Sequence, residues 1–262
     1  FTPFEWHEEM FNYAQSVGIT CFSTPFDESA VDLLEDLNTP AYKVASFEII
    51  DIPLIQYIAS TKKPMIISTG MANKEEIQEA VDVARENGNN ELILLHCISG
   101  YPTPVEQSNL MTIPDMKNYF GLPVGLSDHT LGIEVSIASI ALGASVIEKH
   151  VTLNASDKGP DSEFSIEPDQ LNSLCIKCKS AWEALGSAGY ERKPVEKDNI
   201  KFRRSIYVVR DIDSGEALTK ENIRSIRPGY GLPPKYFNEL IGKRVKSRIE
   251  KGTPLDWGML EK

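Results

Sequence analysis

Six short β-rich runs recur at a spacing of about 25 residues with helical patterns between them, and this rhythm constrains the chain more than any other feature. The runs are Ile19–Pro25 (ITCFSTP), Ala41–Ile49 (AYKVASFEI), Met65–Gly70 (MIISTG), Leu92–Ser99 (LILLHCIS), Val124–His129 (VGLSDH) and Val146–Leu153 (VIEKHVTL). Between them, Asn73–Asn87 reads as a helix. Asn73 caps it, Glu76 completes a capping box, and Ile77, Ala80, Val81 and Ala84 form one apolar stripe before Gly88. Gly132–Ala144 and Pro168–Leu185 read as further helices. Apolar strands alternating with helices predict a parallel sheet covered by helices. The even spacing favours a (β/α)8 TIM barrel over a doubly wound sheet. A barrel of this class needs eight strands and six are counted, so two βα units are expected to precede Phe1; an open six-stranded sheet is the alternative.

The charge divides the chain. Residues 201–262 carry 14 basic and 8 acidic side chains, a net of +6, whereas residues 1–200 carry 13 and 30, a net of −17. Between them Ser187–Asn199 (SAGYERKPVEKDN) is polar, holds Gly and Pro, and has no apolar period. The expected organisation is a barrel module over residues 1–187, a linker over 188–200 and a small β-rich module over 201–262. In the small module Ser205–Val209 and Arg244–Ile249 read as strands, with turns at Asp213-Ser214-Gly215 and Lys251-Gly252.

Other classes are disfavoured. The total net charge of −11 argues against non-specific nucleic-acid binding. No apolar run reaches the roughly 20 residues of a membrane helix. Phe1–Glu9 holds three Glu and no basic residue, unlike a signal peptide. Four cysteines in 262 residues suit reduced thiols and a cytoplasmic setting. Cys175 and Cys178 form a lone CxxC in a helical pattern, without the second pair that zinc requires. Trp6, Trp182 and Trp257 read as packing residues.

In a parallel barrel the chemistry sits at the C-terminal ends of the strands. Those ends carry Ser23 and Thr24; Ser46 and Glu48; Ser68 and Thr69; His96, Cys97 and Ser99; Ser127, Asp128 and His129; Glu148, Lys149 and His150. Polar groups gathered at an interior call for a polar ligand. His129 and His150, from successive strands, read either as ligands of a borderline divalent ion or as hydrogen-bonded structural histidines. His96 lies mid-strand and reads as a core histidine. On an extended strand, period two puts Ser46 and Glu48 on one face and Lys43 on the other. Lys43 is then either an anion-binding cation or a lysine with its head in solvent. The same parity separates Glu148 from Lys149. Ser68-Thr69-Gly70 before the Asn73 helix resembles a small phosphate-holding turn. Gly159-Pro160-Asp161 can place a carboxylate over the mouth. Arg227-Pro228-Gly229-Tyr230-Gly231 presents a guanidinium suited to carboxylate or phosphate.

Together KVASFE (Lys43–Glu48), ISTGM (Ile67–Met71), LLHC with YPTP (Leu94–Cys97, Tyr101–Pro104), GLSDHT (Gly125–Thr130), EKH (Glu148–His150), GPD (Gly159–Asp161) and RPGYG (Arg227–Gly231) resemble the sialic acid synthase family, in order and over the whole chain. The resemblance implies a TIM barrel joined to a C-terminal antifreeze-like (SAF) domain. It implies condensation of phosphoenolpyruvate with an N-acyl amino sugar to a nonulosonic acid and phosphate. It implies a divalent metal, Mn2+ foremost and Mg2+ or Co2+ as alternatives, on His129 and His150. Lys43, Ser46, Ser68 and Ser127 match phosphoenolpyruvate-binding positions. Ser99 stands where the sialic branch often has Asn. Tyr101, Glu48 and Asp161 match positions around the sugar. Arg227 matches an arginine sent into the barrel of a neighbouring subunit, which implies a domain-swapped homodimer. Members of the family carry a further stretch before the equivalent of Phe1, with a site Glu and a site Lys.

Phe47-Glu48-Ile49 with Asp51-Ile52-Pro53 resembles the pseudaminic acid branch; N-acetylneuraminate synthases tend to have Gly-Glu-Cys-Asn-Asn there. Phe47 and Ile49 are expected to make that wall apolar, suiting 2,4-diacetamido-2,4,6-trideoxy-altrose. N-acetylneuraminate or legionaminic acid synthesis is the alternative. Outside this class stand another metal-dependent phosphoenolpyruvate-using aldol synthase and an inactive carbohydrate-binding or assembly module.

Overall fold

The computed structural model describes residues 2–261, and the chain divides between Gly186 and Ser187 into two compact units. In the first unit, strands β1 (Tyr42–Val44), β2 (Met65–Ser68), β3 (Leu92–Cys97), β4 (Val124–Asp128) and β5 (Ile147–Lys149) form a parallel sheet in sequential order. Helices α1 (Phe4–Ser16), α2 (Glu28–Asp36), α3 (Ile52–Ser60), α4 (Lys74–Glu86), α5 (Thr112–Phe120), α6 (Glu134–Ala141) and α7 (Pro168–Leu185) alternate with the strands or flank them. The core lies between the sheet and its helices. Val44, Met65, Ile67, Leu92, Leu94 and Val124 from the strands meet Leu34, Ile55, Ile58, Val81, Ala84 and Ile113 from the helices.

The capping box forms as the sequence predicts. The Asn73 side chain accepts from the Glu76 amide at 2.9 Å, and Glu76 accepts from the Asn73 amide at 2.8 Å. The predicted stripe Ile77, Ala80, Val81, Ala84 is the buried face of α4. Gly88, at φ +76°, supplies the left-handed residue after the helix end.

Three expectations are corrected. The run Ile19–Pro25 makes one parallel bridge, Ser23 to Tyr42, instead of a strand; β1 beside it is only three residues long and so gives it a short ladder. The run Ala41–Ile49 stops at Val44, because Ser46–Glu48 winds into a 3-10 turn closed by Glu48 N–H to Ala45 O at 3.1 Å. Asp51 then caps α3 through the Leu54 amide at 3.2 Å, so the chain has room for the turn but none for more strand. Trp6 and Trp182 are 59% and 66% exposed, which overturns their reading as packing residues; α7 fully buries only Leu174.

The sheet curls. In a flat sheet with strands about 4.8 Å apart, β1 and β5 would lie about 19 Å from each other, beyond the joint reach of two side chains. Yet Lys43 Nζ on β1 stands 3.6 Å from Glu148 Oε2 on β5. Gly125 on β4 permits close approach of the next strand: a Cβ there would meet Val146 O and lie 2.7 Å from Leu95 Cδ2.

The second unit has its own core of Ile206, Val208, Ile212, Leu218, Ile223, Leu240, Val245 and Leu255. Its antiparallel pair is β6 (Ser205–Val208) with β7 (Ile223–Ile226). The expected strand Arg244–Ile249 makes isolated bridges only, from Arg244, Val245 and Ile249. Gly215 and Gly252 take positive φ in the expected turns. Pro194–Phe202, largely within the expected linker, is an exposed 3-10 helix. No helix among the described residues is long and apolar enough to cross a membrane.

Gly125→Ala is expected to destabilise the first unit by about 1–3 kcal/mol, because the clash involves a backbone carbonyl that cannot rotate away. A urea titration of wild type and variant checks this; an unchanged midpoint would show that β5 yields.

Candidate active site

The C-terminal ends of the five strands bring most of the expected residues of the first unit together. Lys43 is buried on β1. Burial pulls its ammonium below the ordinary lysine pKa, and Glu148 opposes that pull. Glu148 Oε1 also accepts from Ser127 Oγ at 2.6 Å, so one carboxylate ties β4 and β1 to β5. The 3-10 turn removes the parity objection to Lys43. After Val44 the backbone leaves the strand, and Ser46 turns inward, where its Oγ accepts from the Gly70 amide at 3.0 Å. That amide is therefore engaged in the turn that resembles a phosphate holder. A Cβ on Gly70 would lie 2.7 Å from Ser46 Oγ and would strike Ser99 Oγ, so only glycine lets the three loops converge.

Two buried polar atoms here have no partner within the protein. Ser68 Oγ, on a residue 2% exposed, is one, and Glu48 Oε2 is the other. A buried hydroxyl or carboxylate oxygen without a partner is costly, and each is a point where a ligand's polar group would be welcome. Burial raises the Glu48 carboxyl above the ordinary range.

His129 and His150 face each other with ring centroids 5.2 Å apart. His129 Nδ1 lies 3.1 Å from the Ile98 carbonyl, which can only accept, so Nδ1 carries a proton; burial pulls the His129 pKa down, and Cys97 and that carbonyl outweigh the pull and raise it. His150 Nδ1 lies 3.6 Å from Asp161 Oδ2. Burial, followed by the charge of His129, lowers the His150 pKa and favours the neutral form that binds metals. The Tyr101 ring stands 4.3 Å from His129 and 6.1 Å from His150, and the Phe164 ring packs 5.1 Å from His150 and 5.5 Å from Tyr101. Among the described residues no group of three or more His, Cys, Asp and Glu side chains is set to hold a metal ion. Two facing imidazoles, one with its Nδ1 hydrogen-bonded to a carbonyl and the other beside a carboxylate, fit an open site completed by water and substrate oxygens. His96 Nε2 is engaged by the Ser108 carbonyl at 2.8 Å and is a core histidine.

Behind the histidines, on the helix-facing side, Lys149 Nζ pairs with Asp128 Oδ2 at 2.9 Å. Parity places Lys149 away from Glu148 as expected, but its head is buried in this pair. Burial alone would raise the Asp128 carboxyl; the bonds from Ser136, Lys149 and Thr130 overcome it and hold it below the usual carboxylate value.

One specificity expectation is corrected. Ile49 is 1% exposed and packs in the hydrophobic core, so it is no part of a substrate wall; Phe47, on the same turn, is 60% exposed. The 3-10 geometry sends the two residues to opposite sides. Ser99 sits at the edge of the cluster, its Oγ 3.8 Å from Cys97 Sγ. Arg227 is exposed at the end of β7 in the second unit, and its loop is pinned by Ser205 Oγ to the Pro228 carbonyl at 2.7 Å. Cys175 is exposed and Cys178 half-buried, both as free thiols.

Glu148 and Cys97 stand among the polar strand ends of the sequence, but no local pattern assigns either a role. Cys97 Sγ lies 3.4 Å from Ser46 Oγ and 3.8 Å from His129 Nδ1. The register Ser127↔Glu148 identifies the first, and it is a property of strand pairing that no single run displays.

The NeuB family model matches residues 1–190, and the SAF domain model matches residues 203–261. A pseudaminic acid synthase of Helicobacter pylori is 41% identical over 262 residues, covering 100% of this chain and 77% of its own. An N,N'-diacetyllegionaminic acid synthase of Campylobacter jejuni is 40% identical, covering 90% of this chain and 72% of its own. The crystal structure of spore coat polysaccharide biosynthesis protein SpsE from Bacillus subtilis superposes with a TM-score of 0.68 at 33% identity, covering 100% of this chain and 79% of that one. With a matched model over most of its length and these relatives, the chain belongs to the NeuB family, with a SAF domain at its C-terminal end.

Proposed function

We propose that this protein condenses phosphoenolpyruvate with 2,4-diacetamido-2,4,6-trideoxy-altrose, forming pseudaminic acid and phosphate. The observation that carries the reading is the convergence of a buried lysine and three serine hydroxyls beside two facing histidines at one end of a parallel sheet. Full-length similarity to a pseudaminic acid synthase supports the choice of product.

In this reading Lys43 and the hydroxyls of Ser46, Ser68 and Ser127 hold the carboxylate and phosphate of phosphoenolpyruvate. Holding both ends fixes C3 against the open-chain sugar aldehyde. C3 forms the new C–C bond with the aldehyde carbon, whose oxygen takes up a proton. Water adds at C2, and the tetrahedral intermediate breaks its C–O bond to release phosphate and leave the ketone. Glu48 and Asp161 orient that water or the sugar hydroxyls, and Tyr101 and Ser99 line the sugar. A divalent ion, Mn2+ foremost, held by His129 and His150 would supply Lewis-acid polarisation of the aldehyde oxygen.

Phe47 presents the apolar surface that suits a 6-methyl group. Exchanging a hydroxyl for a methyl in such a pocket is worth about 1–3 kcal/mol, enough for preference. The sheet is read as one arc of a (β/α)8 barrel. Arg227 is assigned to a second copy's substrate, as in a domain-swapped homodimer, and the +6 module then brings cation to an anion beside the −17 module.

Phosphate release from phosphoenolpyruvate in Mn2+ is measured with the 2,4-diacetamido-2,4,6-trideoxy hexoses of altro and gluco or manno configuration and with N-acetylmannosamine, side by side. Release with the altro sugar alone is expected. Release with only another deoxy sugar would move the protein to the legionaminic branch, and release with N-acetylmannosamine alone would show that Phe47 does not select.

A further inference from the structure

We propose that the Asp128–Lys149 ion pair is a positioning device that sets the separation of His129 and His150 and, through it, the affinity of that pair for a divalent cation. The inference rests on the metal reading of the two histidines and extends it to the opposite face of the sheet.

Asp128 and Lys149 are directly paired in the parallel register, and each is the last residue of its strand. His129 and His150 come next, beyond the end of the ladder. Their carbonyls are held by separate loops, His129 O by the Thr103 amide and His150 O by the Ile166 amide, both at 2.9 Å. The side-chain pair is thus the link between the two strand ends nearest the imidazoles, one peptide away from each.

The pair is also fully saturated. Asp128 Oδ1 accepts from Thr130 N–H at 2.9 Å and Thr130 Oγ1 at 2.7 Å; Oδ2 accepts from Ser136 Oγ at 2.5 Å and Lys149 Nζ at 2.9 Å. Lys149 Nζ donates in addition to the Thr130 carbonyl at 2.6 Å. One carboxylate therefore fixes the turn after His129, the first turns of α6 and the end of β5. The side chains are only 1% and 3% exposed. Two apolar residues would fill such a space at least as stably. A charge pair adds direction, and direction is what two opposed ligands need.

The test is a titration of the intact chain with Mn2+ alone, followed by the electron paramagnetic resonance signal of the free ion. Wild type, Asp128→Asn, Lys149→Met and the control Ile77→Ala are compared, with folding checked by circular dichroism. Ile77 is a buried core residue on α4, so its truncation costs stability without touching the pair. The expected result is a loss of Mn2+ affinity of about tenfold or more in each ion-pair variant and none in the control. Two variants keep the test alive if one fails to fold. Folded ion-pair variants that bind as tightly as wild type, or a control weakened equally, would overturn the proposal while leaving the metal site standing. A wild type that binds no Mn2+ would overturn the metal reading and this inference with it.

Discussion

A buried ammonium needs a counter-charge, and Lys43 finds its own on the far edge of the sheet. The Lys43–Glu148 contact at 3.6 Å is possible only because five parallel strands curl until the first and last share one interior. Parallel pairing gives every strand the same polarity, so all C-terminal ends open on one side. Curling then bends a row of polar ends into an arc around one interior. Ser127 joins the arc through Glu148, Ser46 through the Gly70 amide, and Ser68 is left with an unmatched hydroxyl inside it. An interior that holds one buried cation and one unmatched hydroxyl offers an anion two donors.

The two faces of the strand ends divide the work. Inward lie Ser127 and Glu148, followed by the facing histidines; outward lie Asp128 and Lys149 against α6. Alternation along β4 and β5 makes that division automatic. The chemistry proposed here draws on the inner face, while the outer face bears on how rigidly the inner one is held.

Much of this was legible in the sequence, and what was not has physical causes. The α4 capping box and stripe are local, so Asn73, Glu76 and Ile77 announce them directly. The polar strand ends are local too, which is why the residues of the inner face were identifiable by position. The turn at Ser46–Glu48 was hidden because Phe47, Ile49 and Ile50 favour strand by composition, and only the Asp51 cap downstream reveals that the chain must turn first. That one misreading also misassigned Ile49 to the substrate wall. Glu148 as the partner of Lys43 depends on curvature, and Trp6 and Trp182 depend on which helix faces are covered; neither is written in a local pattern.

The central claim is that Lys43 anchors an anion at this mouth. Calorimetric titration of phosphoenolpyruvate into wild type and Lys43→Met tests it directly, since Glu148 is 40% exposed and can be solvated when its partner is removed. A charge-assisted contact of this kind is worth about 1.5–3 kcal/mol, so the account predicts affinity at least about tenfold weaker in the variant. Equal affinity in the two proteins would contradict it and would place the anion elsewhere.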